Sequence, residues 1–229
     1  IGLTDEMFTF ANIYKLFNGV QLYSQNNIID TPLFFYIGKV FFSVFGANFF
    51  IYKIYGIIIF EIIFLLMLNI LRKLKVPTLR SLLYIILFIL PCTKYLYGEG
   101  ANYNTLSILF WLLGMNLVIK KEGFKVNVVQ QGIVSALIFA TKQNMGLYYL
   151  IALSLLVIYL NKKDLKQIVK KLIAIYLIFA GITAIWVIAL AIQGQFYDFI
   201  NYCFLGINEF AENHTVIVWV YMVFYLIPL

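Results

Sequence analysis

Residues 54–75 read IYGIIIFEIIFLLMLNILRKLK. From Ile54 to Leu71 the run is apolar apart from Glu61 and Asn69, and a cluster of Arg72, Lys73 and Lys75 closes it. A helix needs about 20 mostly apolar residues to cross the hydrocarbon core of a bilayer. In that core the backbone must satisfy its own hydrogen bonds, so only helices and closed barrels are possible. The run lacks the alternation of a barrel strand, so it predicts a membrane-spanning helix over 49–71.

The rest of the chain repeats this pattern. It has 229 residues, 63% hydrophobic and 12% charged, whereas an ordinary soluble domain is about half apolar and a quarter charged. Such a chain cannot cover its surface with polar groups, so lipid must be part of its solvent. The net charge of +7 is gathered in the gaps between apolar runs. Arg72, Lys73, Lys75 and Arg80 form one cluster, Lys120, Lys121 and Lys125 a second, and Lys162, Lys163, Lys166, Lys170 and Lys171 a third. Short basic gaps mark the cytoplasmic side of a membrane protein. A nucleic-acid partner would need a basic face with interleaved aromatics on a soluble fold, and the sequence has none.

These clusters set the topology. Residues 49–71 cross inward, 81–97 outward and 103–119 inward. Residues 127–161 have basic clusters on both sides and must cross an even number of times, turning at Thr141-Lys142-Gln143-Asn144. Residues 172–192 cross outward, 194–215 form an outer loop, and 216–229 begin another span. Ahead of the spans, residues 1–48 form an outer loop with two interfacial helices. In the first, Thr4 caps a helix opened by Asp5 and Glu6, whose acids suit a helix N-terminus. Met7, Phe10, Tyr14 and Phe17 make its apolar face, and Asn18-Gly19 ends it. The second starts at Thr31-Pro32, where proline fits a first turn, and ends at Gly46. The expected fold is therefore all-α: one polytopic transmembrane helix bundle over 1–229, with about six crossings between 49 and 193. Both ends fall where further helices would continue the bundle.

This sidedness gathers the chemistry-capable residues on the outer face: Asp5, Glu6, Asp30, Glu99, Asp198, Glu209 and Glu212, with Lys94, Lys142 and His214. Adjacent carboxylates at a water–membrane boundary can hold a divalent cation or take a proton from a hydroxyl, although acids also simply favour helix starts. Asp30 could likewise cap the second helix. Glu99 sits in a glycine- and asparagine-rich turn that does not need it for turning. Lys142, with Gln143 and Asn144 beside it, offers cationic and amide donors to a phosphate, while Glu61 lies in mid-span without an assigned role. Cys92 and Cys203 read as small apolar fillers. No catalytic serine motif, glycine-rich phosphate loop or cysteine–histidine metal spacing occurs.

The order of these features resembles the membrane glycosyltransferases of GT-C fold related to protein O-mannosyltransferases and the lipid A aminoarabinose transferase. The resemblance rests on Asp5-Glu6, Phe17-Asn18-Gly19, Asp30-Thr31-Pro32, Val44-Phe45-Gly46, the basic closure from Leu71 to Lys75, Phe139-Ala140-Thr141-Lys142, and the aromatic stretch Phe196-Tyr197 through Phe210 to His214. Asn102 and Asn104 stand where relatives commonly carry an aspartate, and Thr31 where they often carry a lysine. The resemblance implies an enzyme of the plasma (inner) membrane whose active side is extracytoplasmic. It would move a sugar from a polyprenyl-phosphate donor to a hydroxyl of a lipid, glycan or protein acceptor. Asp5 and Glu6 would be catalytic. Lys142, Lys94, His214 and Asn144 would bind the phosphate, and Asp30 and Glu99 would be ligands if a divalent metal ion takes part. The competing readings are a flippase of polysaccharide precursors, which would show repeats and broken mid-membrane helices, and a polysaccharide polymerase or ligase, which would lean on outer arginines.

Overall fold

The computed structural model describes residues 2–26, 28–87, 102–121 and 123–205, with side chains from Glu6 onward. The chain is predominantly helical. α1 (Gly2–Phe17) and α2 (Leu33–Phe45) precede the long α3 (Phe49–Lys73), followed by α4 (Thr78–Leu87). Then come α5 (Tyr103–Val118), α6 (Val128–Thr141), α7 (Gln143–Leu160), α8 (Leu165–Ile192) and the short α9 (Phe196–Ile200), which runs into a π-helical turn at Asn201–Leu205. Three of these, α3, α7 and α8, are long and apolar enough to cross a membrane. The 16 residues of α5 and 14 of α6 reach only ~24 and ~21 Å at the α-helical rise. The expected outward crossing over 81–97 is described only as far as Leu87.

One departure from an all-α fold lies at the second basic gap. Ile119–Lys120 (β1) and Gly123–Phe124 (β2) pair antiparallel, with Ile119 opposite Phe124. The turn is tight enough that Gly123 adopts φ +115, a conformation glycine enters without steric penalty.

Two close approaches hold the later helices together. At Gly132 of α6, an added Cβ would lie 2.7 Å from Ile178 of α8; at Gly146 of α7 it would lie 2.5 Å from the backbone of Phe139 on α6. Small residues at such crossings let helices in lipid gain van der Waals contact that a hydrophobic driving force does not supply there. The polar break between α6 and α7 shrinks to Lys142 alone, extended at φ −155 and ψ 114.

Side-chain bonds fix which helix ends share a level. The Lys73 ammonium donates to Asn116 Oδ1 at 2.7 Å, so α3 and α5 run parallel. Gln131 donates to the Gly114 carbonyl at 3.3 Å and the Trp111 indole to the Met145 carbonyl at 3.3 Å. At the opposite level the Lys142 ammonium reaches Asn104 Oδ1 at 2.5 Å, and Gln195 Oε1 accepts from the Tyr23 amide at 3.2 Å. One end of the bundle thus collects α1, residues 20–32 and the starts of α3, α5 and α7. The other collects the lysine-rich gaps. The third basic cluster is only partly a gap: Asp164 caps α8 by accepting from the Gln167 amide at 2.9 Å, so Lys166, Lys170 and Lys171 belong to the first turns of that helix.

Four local expectations change. Thr4 lies inside α1 rather than capping it. The apolar face of α1 is borne out only in half: Phe10 and Phe17 pack against the core with Ile13 and Leu16, while Met7 and Tyr14, with Phe8, are exposed and Glu6, Thr9 and Asn12 are buried. α2 opens at Leu33 behind Pro32 with no side-chain cap, so Asp30 does not cap it, and the Thr31 hydroxyl donates to the Phe139 carbonyl at 2.8 Å. The outer loop begins helically, as α9 and the π turn, because Phe199 and Cys203 are buried there. Residues 206–229 lie outside the described residues. Glu61 is exposed on α3 among Ile57, Ile58, Ile62 and Leu65.

Candidate active site

Residues 28–31 carry the site; three side chains, Tyr23 nearby and Gln143 and Cys203 distant in sequence, hold their backbone. The Tyr23 hydroxyl donates to the Asp30 carbonyl at 3.0 Å. The Gln143 amide donates to the carbonyls of Ile29 at 3.1 Å and Cys203 at 3.0 Å. The Cys203 thiol lies 3.6 Å from the Asp30 carbonyl, and Thr31 is tied to α6 as above. Burial pushes the Cys203 thiol up to about 12 and raises Tyr23 well above its ordinary value, so both stay protonated as donors. Every donor–acceptor pair satisfied here removes a desolvation cost, and together they tie the loop to α6, α7 and the π turn.

On that loop the Asp30 side chain is buried, 6% exposed. Burial raises its pKa to about 6, against the pull of the nearby Lys142 charge and a hydrogen bond from Tyr103. Desolvation disfavours the charged carboxylate, and the cation and the donor only partly offset it. The Lys142 ammonium does not close onto Asp30. It bonds Asn104 Oδ1 at 2.5 Å and lies 4.8 Å from the centre of the Tyr103 ring. Tyr103 and Asn104 are the first residues of α5, placed by the Asn102 cap, whose side chain accepts from the Asn104 and Thr105 amides. Lys142 itself precedes α7, whose N-terminal amides carry partial positive charge. A carboxyl, a cation and two helix starts therefore converge.

Beside this cluster runs a groove of about 430 Å³ lined mainly by apolar groups from α2, α6 and α8. Pro32 and Ala140, each two residues from Asp30 and Lys142, are part of its wall, with Leu137, Ile185, Trp186 and Ala189.

Of the residues expected to act, the structure brings Asp30 and Lys142 together. Glu6 stands apart, 1% exposed and ion-paired with Lys53 of α3; Tyr52 receives a hydrogen bond from Thr9 close by. Asn144 is exposed on the first turn of α7, and its Oδ1 accepts from the Met145 amide at 2.8 Å. Gln143 turns into the protein and is not a phosphate donor. Asp5 belongs to α1 by its backbone, and its side chain lies outside the described part. Lys94, Glu99 and His214 also fall outside the described residues.

Among the described residues no three histidine, cysteine, aspartate or glutamate side chains gather as a metal site. Described neighbours of Asp30 are Lys142 and the Tyr103 hydroxyl, and Glu99, expected to join it as a ligand, lies outside the described residues. Sequence reasoning passed over Lys53, Tyr103 and the role of Asn104. Asn104 carried a signal, since it stands where an aspartate was expected. Lys53, a lone cation near the start of an apolar span, was the other legible clue.

No protein-family model, characterised protein or solved structure matches this chain.

Proposed function

We propose that the protein is a multi-pass membrane glycosyltransferase that takes a sugar from a polyprenyl-phosphate donor and passes it to a hydroxyl of a lipid, glycan or protein. Its lysine end faces the cytoplasm by the positive-inside rule, which places Asp30 and Lys142 at the extracytoplasmic face, within a GT-C-like bundle. The observation that carries the reading is a buried carboxyl near neutral pKa, held beside a lysine at a helix start, next to an apolar groove.

Each part meets one demand of the reaction. The acceptor hydroxyl must lose a proton, and Asp30, ionised above about pH 6, takes it as general base. The acceptor oxygen forms its bond to the anomeric carbon while the bond from that carbon to the phosphate oxygen breaks. Polyprenyl phosphate leaves with one more negative charge. Lys142 and the first amides of α7 meet that charge with fixed donors. The prenyl chain lies in the groove between α2, α6 and α8, so the donor's tail stays in lipid while its head reaches water. Asp5, the carboxylate the family resemblance favours, is a second candidate for positioning the acceptor.

The test is sugar transfer by the full-length protein in lipid nanodiscs, with a labelled polyprenyl-phosphate sugar. Asp30→Asn and Lys142→Met are each expected to lower transfer by about a thousandfold without lowering the temperature of thermal unfolding. Ala189→Phe, at an exposed wall position of the groove, should raise KM for a long-chain donor and spare a short-chain one. Transfer that survives both Asp30→Asn and Lys142→Met would sink the proposal. So would a wild-type protein that moves the intact donor across the bilayer without cleaving it, the behaviour of a flippase.

A further inference from the structure

The lysine end holds a cavity for which the transfer reaction has no use. It has a volume of about 540 Å³ and lies between the start of α6 and the first turns of α8. Lys125, Lys170, Lys171 and Gln167 line it, and Val129 and Ala174 contribute an apolar wall. Among the described residues no carboxylate lines it, and Glu122 lies outside them. Asp164, the acid closest along α8, spends its side chain on the Gln167 amide at 2.9 Å.

Two features separate this cluster from a basic gap that merely obeys membrane sidedness. First, Lys125 ahead of α6 and Lys170 and Lys171 of the second turn of α8 converge on one groove. Among the described residues only Lys171 of the three has a polar partner, Asn161 Oδ1 at 2.9 Å, so three like charges face one space. The start of α6 also contributes to the wall: Asn127, itself a lining residue, caps the Val129 and Gln130 amides at 3.1 and 3.2 Å. Sidedness explains the sign of these lysines but not the convergence of three of them on one groove. An anion seated among them removes that repulsion. Second, the cavity is amphipathic and opens beside lipid-suited surface. Val129, Val169 and Ile173 are exposed around it, and only 6% of the apolar window of α8 is buried. Lys162 and Lys163, by contrast, are exposed in the turn before α8 and do not line the cavity.

We infer that this cavity binds the headgroup of an anionic phospholipid, with its phosphate on Lys125, Lys170 and Lys171 and its acyl chains along Val129 and the flank of α8. Basic pockets between membrane helices recognise such headgroups through this combination of charge and apolar contact. A free phosphate would find the lysines but leave the apolar wall uncovered, so the lipid is the better fit. The inference stands apart from the transferase reading; it needs only that the lysine end meets a lipid leaflet.

The experiment measures binding of phosphatidylglycerol to the purified full chain by native mass spectrometry, with phosphatidylcholine and soluble glycerol phosphate as comparison arms. The wild type is expected to retain phosphatidylglycerol preferentially. Lys125→Gln/Lys170→Gln/Lys171→Gln should weaken that binding by about a hundredfold, at roughly 1 kcal/mol per lysine. The same substitutions to arginine should keep it. The control triple Lys120→Gln/Lys162→Gln/Lys163→Gln removes equal charge outside the cavity and should change it little. Equal loss in both triples overturns the site in favour of diffuse attraction. Equal retention of phosphatidylcholine, or displacement of the lipid by matching glycerol phosphate, also overturns it. Should the glutamine triple fail to fold, a photoactivatable phosphatidylglycerol on the wild type decides. Crosslinks within 125–129 and 167–174 support the site, and crosslinks confined elsewhere overturn it.

Discussion

Two acid–lysine couples sit at the same end of this bundle and differ in one respect. Glu6 and Lys53 close into a direct ion pair with the carboxylate 1% exposed. Asp30 and Lys142 feel each other's charge but do not close; the lysine is drawn off by Asn104 and the face of Tyr103, and the carboxyl keeps a pKa of about 6. A closed buried pair satisfies both charges and has nothing left for a substrate. An open couple leaves a desolvated carboxyl poised to exchange a proton and a cation with capacity for another anion. The first holds α1 to α3, and the second is where chemistry can happen.

The strongest way to break this contrast is to neutralise each acid in turn. Asp30→Asn should lower sugar transfer by about a thousandfold, the usual scale for removing a general base, with no loss of stability. Glu6→Gln should do the reverse. It leaves the Lys53 charge facing a buried amide and should cost about 2–3 kcal/mol of stability, somewhat under the range for a fully buried pair because Lys53 is 33% exposed. Transfer per folded molecule should persist. The double change Glu6→Leu/Lys53→Leu should recover most of that stability, since an apolar pair of similar size often replaces a buried ion pair without loss. If Glu6→Gln instead abolishes transfer at unchanged stability, the roles of the two couples are exchanged.

A smaller effect tests the cradle beneath Asp30. Gln143→Leu removes both amide bonds, leaving the buried Cys203 carbonyl without this donor and freeing the part-buried Ile29 carbonyl. The expected cost is about 2 kcal/mol, read as a lower unfolding temperature. Transfer should fall more than tenfold as the loop loses its fixed geometry, an estimate from the sensitivity of catalysis to small misplacement. Asn144→Ala, one residue away but exposed, should do neither.

How much of this was legible beforehand follows from the range of each interaction. The apolar run ending at Leu71 and the basic gaps foretell α3, α7 and α8 because hydropathy is a local property of sequence. The hairpin turn at Lys142 was equally readable, since a cation cannot be continued comfortably through hydrocarbon. The face of α1 was legible only in half. Phe10 and Phe17 pack against the core, but Met7 and Tyr14 point outward and Glu6 and Thr9 inward, because in a protein bathed by lipid an apolar side chain need not indicate the interior. The cradle was beyond reach for another reason. Gln143 joins Ile29 across 114 positions and Cys203 across 60, and no pattern within a window of residues encodes such a bond. The β-hairpin at 119–124 was missed because strands of two residues leave no periodicity to count.

The finest discrimination between the two couples lies in their pH dependence. The pKa of Asp30 is raised from 3.8 to about 6 in the folded protein, so the folded state binds this proton more tightly than the unfolded chain does. The stability it contributes is complete below about pH 4 and is lost as pH rises through 6. Wild type should therefore be less stable than Asp30→Asn at pH 7, by about 3 kcal/mol, and the two should converge at pH 4. Transfer must run the other way, because the base form exists only above the folded pKa: the rate should fall as pH drops through about 6. Lys142 and the Tyr103 hydrogen bond both lower that value, so weakening either should move the acid limb upward. Tyr103→Phe is the cleaner probe, since it keeps the ring under the Lys142 ammonium and removes only the hydroxyl. A rise of about half a unit in the limb, small against the desolvation that dominates the shift, would tie the rate to Asp30. A limb that stays put in Tyr103→Phe would assign the titrating base to another carboxylate, and Asp5 would then be the first to replace.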